Sequence, residues 1–188
     1  DPIQQKKLMN VILQDVNRLD RLITDISRAS RVDTEIIGQD GEQIDFAALL
    51  DNFIQLRRQS FADHKLVFVK PEQPIMVVGQ DGRIVQVLDN LLSNAVSFGP
   101  IGSKIIFDLN TQASPAQAVL QILDEGPGIP ENRLEAVFHR FYSERPKGES
   151  FGDHSGLGLS IAKQIIEGHD GSLVASNRYT GGACFTLT

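Results

Sequence analysis

The sequence predicts an α/β protein. The expected architecture is a two-layer α/β sandwich, with a mixed sheet and helices on one face, preceded by one long heptad-patterned helix. Three observations predict it. In the first 31 residues the apolar positions Leu8, Ile12, Val16, Leu19, Ile23 and Ile26 step by 4, 4, 3, 4 and 3, the seam of a coiled coil or helix bundle. From residue 44 onward the apolar period switches repeatedly between that of a helix and that of a strand. The 188 residues, 41% hydrophobic and 22% charged, have ordinary globular composition and suffice for one packed domain with a small accessory element.

Asp1 can cap the first helix and Pro2 suits its first position, so residues 2–31 read as one helix. Its apolar stripe needs a partner helix. No second long heptad helix follows, so that partner is expected from another chain or from upstream sequence. Residues 32–43 (VDTEIIGQDGEQ) carry the glycines and acids of a linker, and residues 44–188 form the main domain. Within it, Phe46 to Ala62 reads as a helix with Phe46, Leu49, Leu50, Phe53, Ile54 and Leu56 apolar. Lys65 to Lys70 and Ile75 to Val78 read as short β-branched strands. Asp81 to Phe98 is a helix with Ile84, Val87, Leu88, Leu91, Leu92 and Ala95 inward. Ser103 to Asn110 and Ala118 to Asp124 alternate as strands, Gly156 to Gly168 is a helix, and Ser172 to Ser176 with Ala183 to Thr188 form a last strand pair. Strands with helices on one face give the two layers.

A net charge of −6 gives nonspecific nucleic-acid binding little support, and no nucleic-acid partner is expected. The single cysteine, Cys184, leaves no internal disulfide and fits a reducing compartment. Cys184 alternates into a strand as a small core residue. No apolar run approaches the roughly 20 residues of a membrane span, and no signal peptide is recognisable. The start at Asp1 suggests a piece of a longer protein.

Asn90 and Asn94 lie four residues apart on one helix face. An asparagine carbonyl offers Mg²⁺ a hard oxygen ligand without adding charge beside a polyphosphate. Taken alone, the pair also suits an ordinary exposed helix. Ser155-Gly156-Leu157-Gly158-Leu159 opens a helix, where free amides and small residues make an anion site suited to phosphates. The bland reading is a glycine turn before a structural helix. The chain has no GxxxxGK[ST], which excludes a P-loop. Asp124 opens DEGPGIP, which by itself reads as a capped turn. The polar stretch from Ser143 to His154, with Gly148 and Gly152, reads as a lid over the phosphates or as a plain surface loop.

Four segments fall in one order: QVLDNLLSNA (Gln86 to Ala95), DEGPGIP (Asp124 to Pro130), SGLGLSIAK (Ser155 to Lys163) and GGACFTL (Gly181 to Leu187). Together they resemble the asparagine box, the two glycine boxes and the closing glycine-strand of the ATP-binding catalytic domain of bacterial sensor histidine kinases. The resemblance covers roughly the last 145 residues. It implies ATP and Mg²⁺ as ligands, with Asn94 carrying the metal and Asn90 supporting it. It implies that Asp124 accepts the exocyclic amine of adenine, that Gly126 and Gly128 let the backbone approach the base, and that Ile129 packs on its face. It places Phe98 and Thr186 at the nucleotide, and Ser155, Gly156, Leu157, Gly158 and Leu159 at the phosphates. Phe138-His139-Arg140-Phe141-Tyr142 resembles the phenylalanine box, with the lid at about residues 139–155.

Two positions depart from the family. Ser97 and Ser143 stand where lysine and arginine often touch phosphates; Arg140, Arg145 and Lys147 can substitute, Arg145 as a catalytic cation. The segments FYSERPKGE and SGLGLSIAKQI resemble an alphaproteobacterial subgroup that senses acid or envelope stress. None of His64, His139, His154 or His169 lies in the first helix or shows metal spacing, so each reads as a surface or packing residue and the acceptor helix is expected outside the chain. Residues 1–31 then resemble the second helix of a dimerisation hairpin.

The resemblance implies transfer of the ATP γ-phosphoryl to a histidine, and thence to a response-regulator aspartate. It implies a homodimer in the full-length protein. It also implies a cytoplasmic portion of an inner-membrane sensor, attached to the membrane only through missing upstream segments. The fragment alone is not expected to autophosphorylate. Similar chaperone, gyrase and mismatch-repair ATPases place a glutamate at the Asn90 position as a base for water; an amide cannot serve so, which disfavours simple hydrolysis. A serine kinase of the anti-sigma type and a non-catalytic nucleotide-binding scaffold are the remaining alternatives.

Overall fold

The computed structural model describes residues 41–113, 116–142 and 156–188, together with Leu8, Met9 and Val16. Those last three are helical and more than half exposed; the rest of the expected first helix lies outside the described residues.

The domain opens with β1, Glu42–Asp45, which pairs antiparallel with β3, Met76–Gly79, placing Glu42 opposite Gly79 and Asp45 opposite Met76. Glu42 and Gln43 were expected in the linker, and their strand comes from this distant pairing. Asp45 then caps α1, Phe46–Arg57, by accepting from Ala48 N at 3.1 Å. The helix ends at Arg57 rather than Ala62, and turns carry the chain to β2, Lys65–Val69. Leu50, Phe53 and Ile54 form its buried face; Leu56 points away and is 71% exposed.

The second helix, α2, spans Asp81–Phe98, the range the periodicity predicts, and buries the six residues expected. After it come β4, Lys104–Ala113, and β5, Ala116–Leu123. Two short 3₁₀ turns at Glu131–Arg133 and Ala136–Phe138 precede α3, Gly158–Glu167, which is followed by β6, Leu173–Asn177, and β7, Ala183–Leu187.

The main sheet has the order β2-β4-β5-β7-β6. Only β2 and β4 run parallel, so the sheet is mixed as expected. Ile105, Phe107, Leu109, Leu120, Ile122 and Phe185 fill its inner face against the helices, each essentially inaccessible. Burying such a side chain contributes roughly 1.5–3 kcal/mol, so this layer holds the site's framework rigid. Phe53 meets Phe107 edge-on, with centroids 6.3 Å apart.

Strand alternation puts Val67, Ile106, Leu123, Cys184 and Ser176 in one row on the outer face. Cys184 is buried in this row, as expected of a small residue alternating into a strand. Its Sγ lies 3.7 Å from Thr186 Oγ1.

Candidate functional site

Asp124 follows the last residue of β5 and points to the inner face, where it is only 3% exposed. Its Oδ1 accepts from Gly126 N at 2.8 Å and from Ala183 N at 3.0 Å. Oδ2 accepts no bond from the described residues, so Oδ1 is the oxygen that ties the loop to β7. The carbonyl of Asp124 takes a bond from Arg178 Nη1.

The DEGPGIP loop turns back at Gly128, whose φ of +77° favours glycine. Ile129 is half-buried against the core. Its amide donates to Asn177 Oδ1 at 2.7 Å and its carbonyl accepts from Asn177 Nδ2 at 2.6 Å. Gly126 approaches the end of α2: a Cβ there would meet Phe98 O at 3.0 Å. The first glycine box and the end of the asparagine helix are therefore in contact.

Asn90 and Asn94 are both half-buried on α2. Asn90 faces the start of α3, where a Cβ on Gly158 would lie 3.6 Å from its carboxamide carbon. Asn90 Nδ2 is buried without a hydrogen-bond partner. A buried donor left without an acceptor costs about 1–3 kcal/mol, which a ligand acceptor would recover. The rotation of α2 is fixed at the preceding residue, where Asp89 takes a two-pronged ion pair from Arg57 of α1, each contact 2.7 Å. Asp89 raises the Arg57 guanidinium above its ordinary pKa, against the opposing effect of its partial burial.

The third helix begins without a side-chain cap. Its first amides have no intrahelical acceptor and point toward the site. Leu157 is buried beneath them, Leu159 packs on the core, and Ser160 Oγ donates to Leu157 O at 2.8 Å. At the far end, His169 ties α3 to α2: Gln80 N donates to Nε2 at 3.2 Å, which leaves the proton on Nδ1, 2.7 Å from Ile165 O.

Phe138 is buried edge-on against Phe185, with centroids 6.2 Å apart, and Lys163 Nζ lies 5.0 Å over its ring. Arg140 is exposed on the stem that follows. Phe141 N donates to Gly156 O at 3.0 Å, joining the two flanks of residues 143–155. Ser143, Arg145, Lys147 and Ser155 lie outside the described residues.

Thr186 departs from expectation. It is three residues from Ala183, an odd step, so it faces the opposite side of the sheet from Asp124 and pairs with Gln121 at 3.4 Å. The β7 residue at Asp124 is Ala183, whose backbone, not its side chain, makes the contact. Asn177 and Arg178 are residues at this loop that no motif indicated; they act on backbone atoms far away in sequence. Among the described residues no group of His, Cys, Asp or Glu converges as a metal site, and no helix is long and apolar enough to cross a membrane.

The buried Asp124 carboxylate at the end of β5 and the uncapped start of α3 facing the asparagine helix both sit on an α/β sandwich. The chain belongs to the family of histidine kinase-, DNA gyrase B- and HSP90-like ATPases, whose family model matches residues 79–188. It is 41% identical over 182 residues to the sensor protein ChvG of Rhizobium meliloti (strain 1021), covering 92% of this chain and 31% of that protein. It is 38% identical to ChvG of Agrobacterium fabrum, covering 98% of this chain and 33% of the relative. These two relatives agree with the expected alphaproteobacterial subgroup. The chain thus spans about a third of the length of these curated relatives. Among solved structures, the mycobacterial sensor histidine kinase MprB matches with a TM-score of 0.66 and 28% identity, covering 78% of this chain and 95% of that one.

Proposed function

We propose that this chain is the Mg-ATP-binding catalytic portion of a two-component sensor histidine kinase. The observation that carries the reading is Asn90: an amide, not a carboxylate, faces the open start of α3 with its Nδ2 buried and unpartnered. An amide there orients phosphate oxygens and leaves water without a base, which favours transfer to a protein acceptor.

Asp124 Oδ2 accepts the exocyclic amine of adenine, and Ile129 covers the base. The first amides of α3 hold the β- and γ-phosphates. Asn90 and Asn94 face the same region from α2, and the carboxamide oxygen of Asn94 is a ligand type that suits Mg²⁺. When bound, the metal neutralises phosphate charge. Residues 139–155, with Arg140, Arg145 and Lys147, close over the phosphates. A histidine nitrogen on a dimerisation helix attacks the γ-phosphorus, the bond to the bridging oxygen breaks and ADP leaves. The phosphoryl then passes to a response-regulator aspartate. Residues 1–31 belong to the dimerisation hairpin of a homodimer, residues 32–41 link it to the domain, and the whole is the cytoplasmic part of a membrane sensor.

The metal assignment is tested by titrating wild type and Asn94→Ala with ATP, with and without Mg²⁺. Mg²⁺ is expected to tighten ATP binding to wild type and to have little effect on the variant. Equal Mg²⁺ enhancement in both would overturn the assignment.

A further inference from the structure

We propose that Asn177 is a positioning residue for the Asp124–Ile129 loop, and through it sets how strongly the site prefers adenine to guanine. The proposal rests on the nucleotide reading above and adds a residue outside its motifs.

Both ends of the Asn177 carboxamide are committed to one residue of the loop. Oδ1 accepts from Ile129 N and Nδ2 donates to Ile129 O, at 2.7 and 2.6 Å. The side chain thereby completes a two-bond rung with the loop backbone. Asn177 is also the ladder partner of Ala183, and Ala183 N donates to Asp124 Oδ1 at 3.0 Å. A single β6–β7 rung therefore holds both ends of the loop, Ala183 at Asp124 and Asn177 at Ile129.

The fit is close on the loop side too. A Cβ on Gly128 would lie 2.8 Å from Asn177 Oδ1. The next residue, Arg178, secures the carbonyl of Asp124.

An acceptor selects an amine over a carbonyl only when it is held in place. Asp124 Oδ2 is held by its own backbone, and that backbone by this rung. Asn177 is exposed, so truncating it opens no core cavity and the fold should persist.

The test titrates the full chain and its Asn177→Ala variant with ATP and GTP, alongside thermal denaturation. Loss of two neutral hydrogen bonds predicts about tenfold weaker ATP binding. It also predicts a smaller ATP-to-GTP affinity ratio, with a melting point lowered by no more than a few degrees. Gly128→Ala should weaken ATP binding less in the Asn177→Ala background than in wild type, because the Cβ then meets no Oδ1. Wild-type affinities for both nucleotides in Asn177→Ala would overturn this assignment alone. A lowered melting point with an unchanged ratio would overturn it as well, showing a merely structural residue. A wild-type chain that binds neither nucleotide would overturn the nucleotide reading and this assignment with it.

Discussion

Asp124 offers a substitution pair that separates binding from folding. Asparagine has nearly the shape of aspartate, and its Oδ1 can still accept from Gly126 N and Ala183 N, now 2.8 and 3.0 Å away. A flipped amide would aim a donor at two donors, so the environment fixes its orientation. The NH₂ then occupies the place of Oδ2 and presents a donor to the amine of adenine. Losing a charge-assisted bond costs about 1.5–3 kcal/mol. Asp124→Asn should therefore bind ATP roughly 10- to 150-fold more weakly, with a melting point close to wild type. Asp124→Ala removes the acceptor altogether. Ala183 N is then buried without a partner, at about 1–3 kcal/mol, and the half-buried Gly126 N adds less. Asp124→Ala should lose binding and also unfold several degrees earlier. Titration calorimetry and thermal denaturation read the two effects separately. Wild-type ATP affinity in Asp124→Asn would refute the role of Oδ2, and equal melting points for the two variants would refute the structural role of Oδ1.

Three further substitutions probe the frame around the site. Gly181 and Gly182 have φ of +90° and +92°, but a Cβ on Gly181 meets nothing within 4 Å while one on Gly182 would lie 2.1 Å from Asp124 O. Gly181→Ala should cost only the backbone strain, about 1–3 kcal/mol, and Gly182→Ala a similar amount more plus nucleotide affinity; equal melting points would contradict the packing. His169→Ala removes the acceptor for Gln80 N and the donor to Ile165 O, and should destabilise the domain by about 1–2 kcal/mol, read as a fall of a few degrees in melting point. An unchanged midpoint would show that this clamp between α2 and α3 carries nothing.

What the sequence made legible was local. The range of α2 could be read because its apolar residues keep a helical period from Ile84 to Ala95, bounded by Asp81 and by Gly99-Pro100. The strand β1 was not legible, since Glu42–Asp45 has no strand-like composition and owes its conformation to pairing with β3. The arms of β4 and β5 run further than their apolar stretches, to Ala113 and from Ala116, because ladder bonds continue after burial stops. Of the motif residues, the fold sets Gly126 against Phe98 at the end of α2 and Gly158 against Asn90 on the same helix. Thr186 was misplaced by a question of parity that only the register of β7 against β5 settles. Asn177 was invisible because its partners are backbone atoms 48 residues away, and within GGACFTL nothing singled out the Ala183 amide, whose partner is the Asp124 carboxylate 59 residues away.

The central claim, that this fold carries a working ATP site, is tested most directly by a calorimetric titration of the chain with ATP in the presence of Mg²⁺. The account predicts saturable one-to-one binding that weakens when Mg²⁺ is withheld. Absence of any binding heat or displacement at millimolar ATP would contradict it.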